Sequence, residues 1–587
     1  MSTHVDILAP PRAPERVHPQ RWHALFVLLF AAVMDLIDGT SVNVAIPSIQ
    51  RDLRATYAAI QWVVAGYALA FAVLLITGGR LGDIYGRKRL FLAGVCGFSL
   101  ASALCSAAPT AAALIVARTS QGAMAAMMVP QILSIIQVTF PERERGAAFG
   151  AYGAVLGLAG VAGPIVGGLL LQADVLGLGW RMIFLVNVLG GVVTFVAASR
   201  VVPESRARHA LKLDLAGVIL LTLGLVLLLY PLTQGGELGW PAWIVAVMAA
   251  AVPVLTLFII DQRRKAGIDG SPLVAPRLFR QRAFVAGLLV TLIVFAVIAA
   301  FFLVLALDLQ IGSRFTPLST GLTILPFSIA GAAGSATSIK LAPKLGRRII
   351  GVGTLVIAGG IAGCALRLGG EGARITPVAL LLPMLISGLG LGLVIAPLAD
   401  IVLAGVPEQD AGGASGVFNT TNQLGSAAGV ALVGVVFFTV LTGGATLSAE
   451  HTIPQIRHDL TAHGIPEAIQ DQIVQRFRTC FRDRVATHDP AGLLAGCRQA
   501  REWLPTAALS SATNRDIEQA IGTAAAVANV DNFARATRRM FWYLVGALLG
   551  SSVLTFLLPA RPRRTRASDD RTRAGIHPSG LHDRGET

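Results

Sequence analysis

The chain has 587 residues, of which 54% are hydrophobic and only 14% charged, with a mean hydropathy of +0.67. Soluble domains carry about 25% charged residues, so this balance excludes an ordinary soluble globular protein. The net charge of +15 does not point to nucleic acid. Its bases lie in short runs between apolar segments, with no zinc-finger, helix-turn-helix or aromatic-basic pattern.

Residues 1–20 are polar and end without a small-residue cleavage site, so no cut signal peptide is expected. A membrane span needs roughly 20 apolar residues to cross about 30 Å of hydrocarbon. Such windows fall at about 24–47, 57–79, 90–108, 111–138, 147–171, 181–200, 214–233, 241–260, 283–307, 317–339, 348–366, 376–404, 414–442 and 540–559. The chain therefore reads as an all-α integral membrane protein with fourteen spans. With the N-terminus inside, the inner segments hold 30 Lys and Arg and the short outer loops hold six. That asymmetry puts both termini in the cytoplasm.

Two internal repeats organise the spans. The loop after span 2, Arg80 to Lys88, returns as Lys340 to Arg348 at an offset of 260, and the loop after span 4, Pro141 to Gly150, returns as Pro407 to Gly416 at 266. Both shifts equal eight spans, not six. The implied division is a tail (1–23), a six-helix bundle (24–200), a linker with two extra spans (201–282), a second bundle (283–442 with span 14 at 540–559), an outer segment (443–539) and a C-terminal tail (560–587). Repeated halves in an apolar chain point to a transporter.

Several motifs give the repeats a family. Gly79, Asp83, Gly86, Arg87, Lys88 and Arg89 after span 2 resemble the cytoplasmic signature of the major facilitator superfamily. Arg118, Gln121, Gly122 and Pro130 in span 4 resemble its proton-coupling motif, and Gly163, Pro164, Gly167 and Gly168 in span 5 its antiporter motif. Asp38, Thr40, Asn43 and Pro47 in span 1 resemble the acidic motif of the fourteen-span drug:proton antiporter branch. Gln61–Tyr67 and Trp180–Asn187 also fit, although Val188-Leu189 stands where that branch often has a proline. The resemblance covers most of residues 20–442 and span 14. It implies a major facilitator fold of 6 + 2 + 6 helices in a bacterial inner membrane, driven by a proton gradient with no cofactor or metal.

The residues themselves say why such positions matter. Asp35 and Asp38 lie three apart on one helix face. Carboxylates inside a bilayer are expensive and are retained mostly on ion or proton pathways; desolvation and a neighbouring acid both favour the protonated form. Arg118 cannot shed its charge, so a carboxylate of span 1 is its expected partner, with Gln121 beside it. Asp83, Arg87 and Lys88 read as a cytoplasmic latch holding one conformation. Glycines in span 5, Gly157 among them, provide a smooth face for close helix approach. Asp400 late in span 12, and Asn419, Asn422 and Gln423 early in span 13, are candidates for the substrate cavity or for interhelical hydrogen bonds. Trp62, Tyr67, Phe301 and Phe302 are candidates for stacking on flat cations.

Residues 443–539 depart from the ordinary branch member. Apolar residues at helical spacing around 453–460 and 468–481 predict a small outer helical cap, a surface for an outer partner, with a disulfide between Cys480 and Cys497. No catalytic triad, metal-ligand cluster or phosphate-binding loop is present. The expected function is proton-coupled export of amphipathic, cationic drugs or toxic compounds. The alternatives are export of one dedicated product (antibiotic, siderophore or lipid) and, from another class, a non-transporting membrane receptor. The partners expected are a small-molecule substrate, protons and the lipid bilayer, and no nucleic acid.

Overall fold

The protein is described by a computed structural model covering residues 19–558, apart from 56, 175–176, 207–213, 269–271, 314, 369–375, 405, 408–409 and 487–510. Among the described residues every regular element is a helix. The N-terminal half comprises α1 (Arg21–Asp52), α2 (Tyr57–Tyr85), α3 (Arg87–Ser106), α4 (Ala111–Thr139), α5 (Glu142–Ala173) and α6 (Arg181–Val201). An inserted pair follows, α7 (Leu215–Leu238) and α8 (Ala242–Ile268), then α9 (Arg282–Leu307), α10 (Pro317–Leu345), α11 (Arg348–Arg367), α12 (Pro377–Ala404), α13 (Ala411–Leu432), α14 (Phe438–Ala462), α15 (Glu467–Ala486) and α16 (Ser511–Leu554).

Among the described residues thirteen stretches are long and apolar enough to span a membrane, counting α13–α14 as one. α5 adds a further helix of 32 residues, at the place of the fifth expected span. All backbone groups of such a span must pair internally in hydrocarbon, which is why the apolar runs fold as helices. Starts are fixed by side-chain caps: Thr110 accepts from the Ala113 amide, Asp214 from Gly217 and Thr316 from Ser319. Prolines inside α4, α7, α8, α10 and α12 are carried within continuous helices.

The halves repeat one packing plan. α2 packs on α4, α3 on α4 and α1 on α5, and eight helices later α10 packs on α12, α11 on α12 and α9 on α13. Across the seam α2 meets α13 while α5 meets α10. α7 lies against α8, α2 and α13, so the inserted pair lies along that seam, and α8 leaves most of its apolar surface outward, as a lipid-facing helix does.

The outer segment begins as an extension of the bundle. α13, a π turn at Val433–Phe437 and α14 form one rod of 52 residues. At 1.5 Å per residue it is about 78 Å long, well over twice the hydrocarbon thickness. α16 runs for 44 residues. α15 folds back on α14, burying Ile465, Ile473, Phe477 and Phe481. Cys480 is disulfide-bonded while Cys96, Cys105 and Cys364 are free; its expected partner, Cys497, lies outside the described residues.

Candidate functional site

A buried polar cluster crosses α1, α2, α3, α4 and α6. Asp38 is fully buried, and its carboxylate takes the Arg118 guanidinium at 2.6 Å. Gln121 donates to it at 3.0 Å and Asn187 at 2.5 Å. Arg118 also donates to Gln121 Oε1 at 2.6 Å, and Gln121 donates to the Ser102 hydroxyl at 2.7 Å. Asp35, one turn away, accepts instead from the Tyr67 hydroxyl at 2.5 Å. Arg118 caps the face of that same tyrosine, 4.2 Å from the ring centroid. Tyr67 thus links the two acids through a charge that cannot leave.

The helical spacing explains the meeting. Asp35 and Asp38 share a face of α1, Arg118 and Gln121 one of α4. Asn187 and Ser102 complete the cluster without having stood out individually in the sequence, because neither is ionisable. A buried ion pair with its remaining lone pairs satisfied is stable only while the acid is charged; protonation removes the charge that Arg118 answers.

A second constellation joins the two halves at the end of α2. Asp83, at the end of α2, accepts backbone N–H groups of Gly412 and Gly413, each at 3.1 Å, at the start of α13. Arg87 holds the same carboxylate at 2.7 Å. A carboxylate at a helix N-terminus meets free amides and the positive end of the helix dipole. Gly79 makes the approach feasible: a Cβ there would lie 2.1 Å from the Gly412 oxygen. Gly86 turns the chain with φ +107°, and Arg87 donates its amide to the Ser205 carbonyl. Lys88 points its ammonium away from the seam, donating to the Ser199 carbonyl, while its backbone amide donates to Glu204. Across the same seam the Ser134 and Ser415 hydroxyls are 2.8 Å apart and Gln137 donates to the Leu403 carbonyl. These contacts join the two halves at the helix ends that the basic loops assign to the cytoplasm.

Next to the latch Arg277, just before α9, grips Asp410 at 2.6 Å, immediately ahead of α13. On α8, Gln262 holds the Val274 amide and, with Lys265, the Asp214 cap. Burial pushes the Asp214 carboxyl up, but Lys265, Gln262 and the Gly217 amide outweigh it and leave it below its ordinary value. At the outer end of α1, hydrogen bonds from Arg181 and Trp180 lower the Asp52 carboxyl.

The remaining sequence candidates are placed elsewhere. Gly163 and Gly167 press on α1, where their added Cβ atoms would meet Thr40 at 1.7 Å and Ser41 at 3.0 Å; Gly168 faces open space. The smooth face of α5 thus serves the helix that carries the acids, while α5 meets α10 through Gly150 and Gly153. The surroundings of Gly157 and Pro164 lie outside the described side chains. Asn419 donates to the Ser415 carbonyl within its own helix. Asn422, Gln423 and Asp400 are half-buried in the C-terminal half and are not partners of Asp38. Phe301 is fully buried against Phe302, Phe327 and Phe541, hence core rather than cavity wall. Trp62 stacks on Tyr230 of α7. Among the described residues no group of His, Cys, Asp or Glu could hold a metal ion.

Two bundles of six helices that repeat one packing plan, with an ion pair buried in the first, have the build of a membrane transporter. Residues 28–430 match the Major Facilitator Superfamily, and the chain belongs to that family. It is 41% identical over 547 residues, 93% of each chain, to a probable actinorhodin transporter of Streptomyces coelicolor. It is 36% identical to the puromycin resistance protein pur8 of Streptomyces alboniger, covering 80% of this chain and 92% of that one. Among solved structures, a bacterial homologue of the human lysosomal transporter Spinster matches 92% of this chain and 98% of its own with a TM-score of 0.52 at 16% identity, a likeness of fold.

Proposed function

We infer that the protein is a proton-coupled antiporter that exports an amphipathic antibiotic-type compound across the bacterial inner membrane. One observation carries the reading: a fully buried Asp38 whose charge is answered by Arg118, Gln121 and Asn187. Such an acid has two distinct states. Charged, it holds α1, α4 and α6 together; protonated from the outer side, it releases Arg118 and loosens those helices, giving the pair of conformations a carrier needs. The closed inner mouth supports a conformation in which the site loads protons from outside and has discharged substrate.

The actinorhodin and puromycin relatives support one dedicated product over a broad set of cationic drugs. The actinorhodin transporter matches 93% of this chain, a span that must take in much of the outer segment. Inside-out vesicles energised to an acid interior, with the pH gradient followed by a dye, test both points. Proton release is expected on adding a compound from a panel of antibiotics, and its loss is expected in Asp38→Asn. Release with lipophilic cations alone would return the substrate class to multidrug export. No release with any compound, from protein that remains folded, would refute antiport and favour a receptor.

A further inference from the structure

The C-terminal half contains a buried acid that neither the ion-pair cluster nor the latch uses. Asp308 ends α9, where the helix loosens into a π turn over Asp308–Gly312. Such turns recur at functional sites. The residue is 1% exposed. Thr537 of α16 donates its hydroxyl to Oδ1 at 3.2 Å, and Oδ2 is buried with no partner.

An ionised carboxylate presents about four acceptor sites. Asp38 has a guanidinium and two amides to fill them; Asp308 has one distant hydroxyl. The C-terminal end of a helix also carries negative partial charge, which opposes a carboxylate there. The charged groups on the surrounding helices do not answer it. On α16 Arg535 pairs with Asp531 and His451, and Arg538 and Arg539 are exposed. Arg515, Asp516 and Glu518 lie about five turns or more from Thr537 along the same helix. On α10 Lys340 and Lys344 lie at the cytoplasmic end, as does Arg282 on α9. Arg314 lies outside the described residues. A charged acid so placed would bear the full cost of an unpaired ion in a dry site, and a proton removes that cost.

We propose that Asp308 is a second proton-binding site, held as the neutral acid in this inner-closed conformation and located in the C-terminal half apart from Asp38. The site stands where α9 meets the shaft of α16 that continues into the outer segment, at the outer end of its bundle. In a transport cycle the proton leaves when water reaches the π turn: the O–H bond breaks, water becomes hydronium and the carboxylate remains. That use in a cycle rests on the antiport reading; the protonation itself does not.

Infrared difference spectra of the purified full-length chain at neutral pH test the site. Wild type minus Asp308→Asn is expected to show one carbonyl-stretch band of a protonated carboxyl, kept in Asp38→Asn and Arg314→Gln and displaced in Asp308→Glu. A carboxylate band in its place, or no band, overturns the proposal. Should Asp308→Asn fail to fold, Thr537→Val decides: loss of the one donor must move the band to higher frequency, and an unmoved band refutes the assignment. In vesicles Asp308→Asn is expected to move fewer protons per substrate than wild type; an unchanged ratio removes Asp308 from the cycle. Wild type that moves no protons at all would instead strike the antiport reading, leaving the infrared result intact.

Discussion

Replacing Asp83 by Asn should open the cytoplasmic mouth by an amount the geometry sets. The change keeps the shape but removes the charge that two α13 amides and the positive end of that helix address. It also turns an NH2 group toward an N–H donor. Hydrogen bonds to a charged acceptor contribute about 1.5–3 kcal/mol, against about 1 kcal/mol for neutral ones, and a helix terminus adds about 0.3–1 kcal/mol. The Arg87–Asp83 pair joins residues four apart and persists when the halves part, so it cancels from the difference. The inner-closed state should therefore lose about 2–3 kcal/mol relative to the open one, a shift of about 30- to 150-fold in their ratio. Spin labels on exposed Arg200 of α6 and Lys344 of α10 report the separation of the two halves at the cytoplasmic face. Broadening toward longer distances is expected in Asp83→Asn and not in Glu204→Gln, whose contact with Arg89 is exposed at 3.7 Å. An unchanged distribution in Asp83→Asn would refute the latch.

Gly412→Val should act in the same direction more strongly, because a Cβ there would lie 2.2 Å from the Gly79 oxygen and 2.6 Å from Asp83 Oδ2; the same label pair would read it. Asn187→Leu should slow substrate-driven proton release by about 5- to 150-fold, the effect of about 1–3 kcal/mol for an acceptor left short of a donor; an unaltered rate in the vesicle assay would exclude Asn187 from the cluster's working. Cys480→Ser should cost the outer segment about 3 kcal/mol, seen as a lower melting temperature that reductant reproduces in wild type but not in the variant. Asp52, held below its ordinary carboxyl value, should contribute stability present above about pH 4 and lost as pH falls through its folded value, so the melting-temperature gap between wild type and Asp52→Asn should close in acid.

Much of the fold is legible from the chain because bilayer thickness sets span length and basic loops set orientation, both properties of short windows. The offset of eight spans follows from two repeated loops, and the packing of α2 on α4 and α10 on α12 repeats it in space. The Asp38–Arg118 pair is legible for an energetic reason: two buried opposite charges must find each other. Tyr67 and Asn187 are not, because a neutral side chain has no comparable obligation and its partner depends on how each helix is rotated. Asp308 is hidden for a related reason. In sequence it stands at the end of a long apolar run, where an acid normally reaches water, and only the crossing of α16 over the π turn buries it.

The two constellations share one rod. α2 carries Tyr67, which holds Asp35 and lies beneath Arg118, and sixteen residues later Asp83, which holds α13. At 1.5 Å per residue the two are about 24 Å apart on a single continuous helix. A helix transmits rotation and tilt along its length far more readily than it compresses, since each turn is fixed by its own hydrogen bonds. Between those points Gly78 and Gly79 let α4 and α13 approach to backbone contact, so α2 has no soft layer of side chains on either flank to absorb a shift. Loss of charge at Asp38 weakens Arg118's hold on the Tyr67 end. The consequence reaches the Asp83 end as a displacement of the carboxylate from the α13 amides, whose hydrogen bonds at 3.1 Å tolerate only tenths of an ångström before weakening. On the antiport reading proposed above, the stiffness of one helix is what connects a proton entering the outer half with a mouth opening at the inner face.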